Sequence, residues 1–254
     1  MIAYLLRLLA RWYSIPLLLI VWQAVVGTGL VESRLLPSPA QVGAVLLAEL
    51  ANGELVYHAA VTVGRALAGF ALAAIVGIPF AAAMARSPTW RSLFEPIFVL
   101  GYPVPKIALY PVFTYIFGIG AAPKIAFIFL ECLYPVVVTC FLGFGAIQTR
   151  LIWTAQNFGA SRTAILRRVL LPAALPSVFA AFRIALPVAI VVAVLTEMIG
   201  DSIGLGYYIT IWSTRFSFSN VYAAIVTIGI CGFALDQILL LARRRVVYWQ
   251  REAA

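Results

Sequence analysis

The amino-acid sequence predicts an all-α polytopic membrane protein of about six transmembrane helices, read as one domain over residues 1–254. Two observations predict this. Hydrophobic residues make up 64% of the chain and charged residues 11%, with a mean hydropathy of +1.03, whereas a soluble domain carries about 25% charged and 45–50% apolar residues. The apolar residues are also gathered into runs of about 20, the length a helix needs to cross the hydrocarbon core. No soluble core of this size hides so much apolar surface, so the solvent of these helices is lipid.

In chain order the runs fall near 13–31, 60–84, 93–117, 124–147, 177–200 and 220–242. Arg7 and Arg11 ahead of the first run also fit a secretory leader. The run is long, however, and no clear small-x-small cleavage site follows it, so a retained first helix is favoured. Residues 32–58 hold Glu32, Arg34, Glu49 and Glu54 and do not read as a span. Within them "VGAVLLAEL" has helical spacing after Pro37 and Pro39 and reads as an amphipathic surface helix. The third run contains Pro103, Pro105 and Pro111, which remove backbone donors and bend the helix. The freed carbonyls are tolerated only toward protein or a wet cavity.

Net charge is +9, from 18 Lys and Arg against 9 Asp and Glu. A basic excess can mark a nucleic-acid protein, but no soluble basic domain carries one here, so lipid and not nucleic acid is the expected surrounding. With six spans both termini share a side with Arg7, Arg11, Arg86, Arg91, Arg150, Arg162, Arg167, Arg168, Arg243, Arg244, Arg245 and Arg251. Arg34, Arg65, Lys124 and Arg215 fall near the other side, and Lys106 and Arg183 lie within spans. The positive-inside rule then makes both termini of this multi-pass protein cytoplasmic.

Cys132, Cys140 and Cys231 lie inside apolar runs at a spacing that fits no metal pattern, and read as small hydrophobes packed between helices. His58 is the only histidine, which removes most zinc and triad chemistry; no metal and no catalytic residue is expected. Ionisable groups at membrane depth are costly and point to function. Lys106, in "PVPKIALYP", fits a pathway wall equally with a residue that snorkels or pairs with an acid, and Glu131 is the candidate acid. Glu197 and Asp201 flank the end of the fifth run ahead of "GLGYY", and Asp236 near the end of the last run is expected to pair with a basic tail residue. Aromatic residues such as Tyr102, Tyr110, Tyr115 and Trp212 read as lipid, packing and interface residues.

The segment 151–176 is the chain's basic, helix-forming interruption. One short helix ends near Phe158 with Ile152, Ala155 and Phe158 on one face. Gly159 allows a turn, Ser161 can cap the next helix, and "ASRTAILRRV" follows with Ala164, Ile165 and Val169 apolar and Arg162, Arg167 and Arg168 polar. Pro172 and Pro176 are expected to stop this helix and begin the next span. Spacing alone fits a headgroup-lying helix and a docking surface equally.

This stretch resembles the cytoplasmic "EAA" loop of binding-protein-dependent ABC importer permeases, in which E-A-A is followed after three residues by Gly-Ala and later by Leu-Pro. Here the pattern reads Thr154-Ala155-Gln156, Gly159-Ala160 and Leu171-Pro172, with Thr154 in place of the glutamate. "LLPSPAQV" at 35–42, "YPVPKIALYPVFTYIFGIG" at 102–120, "LPAALPSVFAAFRIAL" at 171–186 and "TEMIGDSIGLGYYI" at 196–209 look like the nitrate/sulfonate/taurine-type branch. The resemblance covers about residues 35–245.

It implies a type I ABC importer permease fold, with a core near 58–245 and a coupling loop near 151–176. The loop residues would be Thr154, Ala155, Gln156, Gly159, Ala160, Ser161, Arg162, Ile165, Arg167, Arg168, Leu171 and Pro172. Lys106 and Glu131 would border the translocation path, with Glu197, Gly204 and Gly206 near an external gate. The implied partners are two ATP-binding cassette ATPase subunits, an extracytoplasmic solute-binding protein and a second permease copy in a homodimer. ATP and magnesium would sit on the ATPase, with no cofactor on this chain, which lacks a G-x-x-x-x-G-K-[ST] phosphate loop. The expected solute is a small anion such as nitrate, a sulfonate or taurine; a neutral aromatic or pyrimidine-like compound is the alternative. A secondary transporter predicts inverted repeats, and no convincing half-to-half match is seen. An intramembrane enzyme lacks convergent nucleophiles or ligands.

Overall fold

The computed structural model describes residues 13–29, 31–101 and 104–249. Arg7, Arg11, Tyr102, Pro103 and Arg251 lie outside the described residues, as does the side chain of Arg162. The helices are α1 (Ser14–Gly27), α2 (Pro39–Ala51), α3 (Glu54–Arg86), α4 (Pro88–Gly101), α5 (Tyr110–Phe117), α6 (Ala121–Gly145), α7 (Thr149–Asn157), α8 (Arg162–Ile165), α9 (Leu171–Met198), α10 (Leu205–Thr214) and α11 (Phe218–Val246). A 3₁₀ turn at Lys106–Leu109 precedes α5, and a π-helical turn at Leu166–Leu170 joins α8 to α9. Among the described residues no strand occurs.

Among the described residues, four helical stretches are long and apolar enough to cross a membrane: α3, α6, Thr163–Met198 and α11. The expected span at 93–117 is not one straight helix, because α4 and the stretch Lys106–Phe117 meet at 95°. Pro105 and Pro111 lack the N–H groups a continuing helix needs, which is why the chain breaks there. Taken as one crossing, the bent pair makes a fifth span. The expected first span is the 14-residue α1, about 21 Å long against a hydrocarbon core of about 30 Å.

The bundle is built on α3, α6 and α9. Small residues let their backbones approach, as membrane helices require in the absence of a hydrophobic drive between them. On α3 the buried stripe is Thr62, Ala66, Gly69, Ala73, Gly77 and Ala81, and on α9 it is Ala181, Ala185, Ala189 and Ala193. A Cβ on Gly69 would meet Ile128 Cγ2 at 2.5 Å, and one on Gly77 would meet Val136 Cγ1 at 2.9 Å. Cys132 and Cys140 are buried in this core as thiols, and Cys132 Sγ donates to Ala185 O at 3.5 Å.

The surface helix expected over "VGAVLLAEL" is present as α2, which begins earlier, at Pro39, and starts on a capping box. Ser38 Oγ accepts from the Gln41 N–H at 3.2 Å while Gln41 Oε1 accepts from the Ser38 N–H at 2.9 Å. Its apolar face is not left over for headgroups: Val42 is buried, and Val45 and Leu46 pack on Leu55, Leu205, Tyr208, Ala223 and Ala224.

A second correction concerns Pro172 and Pro176. They do not stop the preceding helix; helical structure runs unbroken from Thr163 to Met198. Pro172 lies in the first turn of α9 directly after the π-helical turn. The wider turn changes the hydrogen-bonding register where proline offers no donor, so the chain passes the proline without a break.

Candidate gate, pathway and coupling sites

Three helix ends converge at one end of the bundle: the N-termini of α3 and α6 and the C-terminus of α9. They carry charged residues into a buried network. Arg65 Nη1 reaches Glu197 Oε1 at 2.9 Å, Asp201 Oδ2 at 2.5 Å and Ile203 O at 3.2 Å. Lys124 Nζ lies 3.1 Å from Asp201 Oδ2 and donates to Gly120 O at 2.8 Å. The Arg65, Lys124, Glu197 and Asp201 side chains are 8%, 2%, 0% and 9% exposed. Two cations face two anions, so the group is neutral as a whole, the condition under which charges can be buried at all.

The same acids hold the start of α10. The first N–H groups of a helix have no partner within it, and here other helices supply partners for three of them. The Gly204 N–H donates to His58 Nδ1 at 2.9 Å, the Leu205 N–H to Thr62 Oγ1 at 2.8 Å and the Gly206 N–H to Glu197 Oε2 at 3.1 Å. Thr62 Oγ1 in turn donates to Glu197 Oε2 at 2.8 Å. A carboxylate at a helix N-terminus is also favoured by the helix dipole. Both glycines are sterically required. Gly204 has φ +111, and a Cβ there would strike the Glu197 carboxylate; one on Gly206 would strike Val194 O and lie 2.7 Å from Glu197 Cβ.

Burial pushes the Asp201 carboxyl up, but the Ser202 N–H, Lys124 and Arg65 together outweigh it and hold the group below the ordinary carboxylate range. With its folded value depressed, the stability it contributes is present above the ordinary carboxylate range and is lost as pH falls through the lowered value.

The structure thus brings Glu197, Gly204 and Gly206 together in a buried cluster. Sequence reasoning missed Arg65, Lys124, Thr62 and His58; His58 is 6% exposed and not at an open end. The available signal was charge matching: two bases and two acids assigned to the same side of the membrane.

Lys106 and Glu131 form a separate pair. Lys106 opens the 3₁₀ turn at the break between α4 and α5, and its Nζ lies 3.8 Å from Glu131 Oε2 on α6. The face of Tyr134, one turn along α6, sits 5.4 Å from Nζ. Asp236 forms an ion pair with Arg183 Nε of α9 at 3.6 Å.

At the opposite end of the bundle lie α7, α8 and the π-helical turn. The α7 helix closes in a Schellman motif: the Ala160 N–H donates to Ala155 O at 3.0 Å and the Gly159 N–H to Gln156 O at 2.8 Å, with Gly159 at φ +72. Ser161 Oγ then accepts from the Ala164 N–H at 3.3 Å, the expected cap. Thr154, Gln156, Gly159, Ser161, Arg167, Arg168 and Leu171 are exposed, and Ala155, Ala160 and Pro172 are half-buried. Ile165 faces inward at 7% exposure and anchors the segment. Trp153 and Phe158 stand out at 60% and 86% exposure beside these polar residues.

Residues 69–248 match the family model described as "Binding-protein-dependent transport system inner membrane component". The chain belongs to that family. The permease is 34% identical over 244 residues to the taurine transport system permease protein TauC of Escherichia coli (strain K12), covering 94% of this chain and 89% of that relative. It is 28% identical over 231 residues to SsuC of Bacillus subtilis (strain 168), a relative named for aliphatic sulfonates transport, covering 91% and 83% of the two chains. The permease also shares its fold with the MetNI methionine ABC transporter solved in inward-facing conformations, at TM-score 0.58 and 21% identity over 73% of this chain and 92% of that one. It is therefore a multi-pass inner-membrane ABC importer permease subunit of the taurine and sulfonate branch, a transport subunit and not an enzyme.

Proposed function

We propose that this permease forms the translocation path of an ATP-driven importer for a small sulfonated or similarly charged solute delivered by an extracytoplasmic binding protein. The observation that carries this reading is the separation of two unlike ends. One presents an exposed helical segment at Thr149–Leu170 with aromatic and basic side chains and an anchored base; the other is closed by a buried, neutralised charge network. An exposed segment rich in Trp, Phe and Arg has the composition of a protein-binding surface, and two ABC ATPase subunits are the partners that fit it. Their closure on ATP would displace this segment and shift the bundle between two packings. The residues that dock would be Thr154, Gln156, Ser161, Arg162, Arg167, Arg168 and Leu171, held in register by the Ala155–Ala160 turn and by Ile165 and Pro172.

The solute class is supported by the branch to which the relatives belong. Lys106 on its own would favour an anion, but its pairing with Glu131 cancels that preference. The test of the reading is reconstitution. The permease, its ATPase and its binding protein in proteoliposomes should take up a small sulfonate only with ATP and the loaded binding protein. Uptake that is independent of ATP and driven by an ion gradient would instead identify a secondary transporter.

Orientation follows from the arginine asymmetry and makes a second prediction. Single cysteines introduced at Ser87 and Thr163 should resist an impermeant thiol reagent in intact cells and react after lysis, while one at Ser38 should react in intact cells. Labelling of Thr163 from outside overturns both the orientation and the docking role.

Copy number makes a third. Each chain offers one exposed coupling segment, whereas a pair of ATPase subunits offers two docking grooves, so two permease chains are required, as a twofold homodimer. Native mass spectrometry of the purified importer should give two copies of this chain. One copy beside a different permease overturns the homodimer.

A further inference from the structure

We infer that His58 is a positioning residue of the outer end and makes it sensitive to acid: the neutral ring holds the start of α10, and the protonated ring releases it. This rests on the importer reading above, with the end that bears Arg65 and Glu197 facing outward, and adds a regulation to that end. The contact that carries it is the Gly204 N–H donating to His58 Nδ1 at 2.9 Å. A backbone N–H can only donate, so Nδ1 is the acceptor and the proton of the neutral ring sits on Nε2. An imidazolium carries a proton on both nitrogens. Charging the ring therefore sets a donor against a donor, and this bond cannot survive it.

The groups around the ring give each state a place. Inward, Thr62 joins the backbone of His58 to the cluster of Arg65, Lys124, Glu197 and Asp201. That cluster is already neutral, so a third cation beside it has no buried counter-charge. On α10 the Tyr207 and Tyr208 rings lie 6.1 and 5.5 Å from the imidazole, and on α3 the Tyr57 ring lies at 5.5 Å. On α2, Glu49 is turned to Asn52 and Asn220. Glu54 is exposed one turn before His58 on the same face of α3, where a carboxylate and an imidazolium attract. The ring thus has two positions, inward and neutral on Gly204 or outward and charged beside Glu54.

Position 58 needs an acceptor for the Gly204 N–H and nothing more. An asparagine carbonyl would supply one from nearly the same place without ever charging; histidine adds a change of charge near about pH 6.5. The consequence reaches beyond one bond. The start of α10 ties α3 to α9, because its N–H groups go to His58 and Thr62 on one helix and to Glu197 on the other. Freeing Gly204 loosens that tie where the chain enters α10. Acid outside then lowers uptake, since movement of α9 is no longer passed on in full.

The test uses the complete importer in lipid vesicles, with ATP inside and binding protein outside. The inside is buffered at about pH 7.5, the outside is set at about pH 7.5 or 5, on either side of the imidazole range, and 2-aminoethanesulfonate is the solute. The readout is the uptake ratio between acid and neutral outside, compared between the parent and His58→Asn. The comparison cancels the response of the other subunits to acid. The parent ratio is expected to lie about fivefold or more below that of His58→Asn, the factor one lost buried hydrogen bond carries. His58→Leu, with no acceptor, should be low at both pH values. His58 is the only histidine of the chain, so 15N-histidine labelling of the permease, purified without a histidine tag, reads this ring alone. It should show the Nε2–H tautomer at neutral pH and a charged ring in acid. Equal ratios in the parent and His58→Asn overturn the inference, as does a ring that stays neutral in acid or carries its proton on Nδ1. Where His58→Asn does not assemble, the spectrum alone decides. Uptake that needs no ATP overturns the importer reading, and the ring's titration then stands or falls by its spectrum.

Discussion

Replacing Arg65 with leucine is expected to destabilise the folded permease by about 3–5 kcal/mol, the cost of breaking a buried ion pair from one side. Among the described residues, Arg65 is the cation in ion-pair contact with Glu197, whose side chain is fully buried. Leucine fills part of the volume but leaves that carboxylate charged and without a counter-ion, while Asp201 still has Lys124. The loss would spread beyond this pair, because Glu197 also receives the Thr62 hydroxyl and the Gly206 N–H at the start of α10. The measurement is thermal unfolding of the detergent-purified protein together with its yield in membranes. Arg65→Leu combined with Glu197→Gln should be less destabilised than the sum of the two single variants, because the second change removes the orphaned charge. Arg65→Lys should fall between, since an ammonium group cannot reproduce the planar fork of the guanidinium. Stability of Arg65→Leu within about 1 kcal/mol of the parent, the range of exposed ion pairs, would mean that water reaches this cluster.

The second large effect is expected at Gly159, and it is on transport more than on insertion. Nothing lies within 4 Å of a Cβ built there, so the whole cost comes from the backbone at φ +72. Valine, branched at Cβ, is strained in this region by roughly 1–3 kcal/mol. At 1.4 kcal/mol per factor of ten, the native turn would be depleted by about 5- to 150-fold. The Schellman closure fixes the angle between α7 and the Arg162–Leu170 segment, so the docking face is what suffers. Gly159→Val should insert normally, yet lose both uptake and the stimulation of ATP hydrolysis by loaded binding protein. Gly159→Asn should keep most of both, because asparagine tolerates the left-handed region. Normal stimulated hydrolysis in the valine variant would show that this turn does not transmit the signal.

Much of this molecule is legible in its sequence, for physical reasons that can be named. Lipid imposes long apolar runs, so α3, α6, α9 and α11 announce themselves. The turn at Gly159 is legible because a positive φ selects glycine and the cap that follows selects serine. The 3.8 Å pairing of Lys106 with Glu131 is legible as the one acid a mid-membrane lysine could find in the next span. What stays hidden is whatever depends on the third dimension. His58, Thr62 and Arg65 read as the wet start of a span, and only the arrival of Glu197 and Gly204 from more than 130 residues away turns them into an interior. Pro172 reads as a stop because proline usually is one; the π-helical turn that lets the helix through leaves no mark in local composition. The sharp break at α4 and α5 is half legible: the prolines signal a bend, but not that it reaches 95°.

The unbroken passage through Pro172 has a mechanical consequence. The 36-residue stretch Thr163–Met198 is a rod about 50 Å long. It begins among the residues proposed to meet the ATPase and ends at Glu197, where the charge network grips it. Its helical turns follow one another without a break, and the places where it can bend are the π-helical turn and the interior prolines Pro176 and Pro187. A tilt of about 10° around its middle would swing the two ends in opposite directions by about 4 Å each, from its length alone. Moved as one body, the stretch would be a lever whose far arm carries Glu197, and with it the first turn of α10. Force delivered by nucleotide at one membrane face would reach the opposite face as a displacement of that small helix, with the direction reversed.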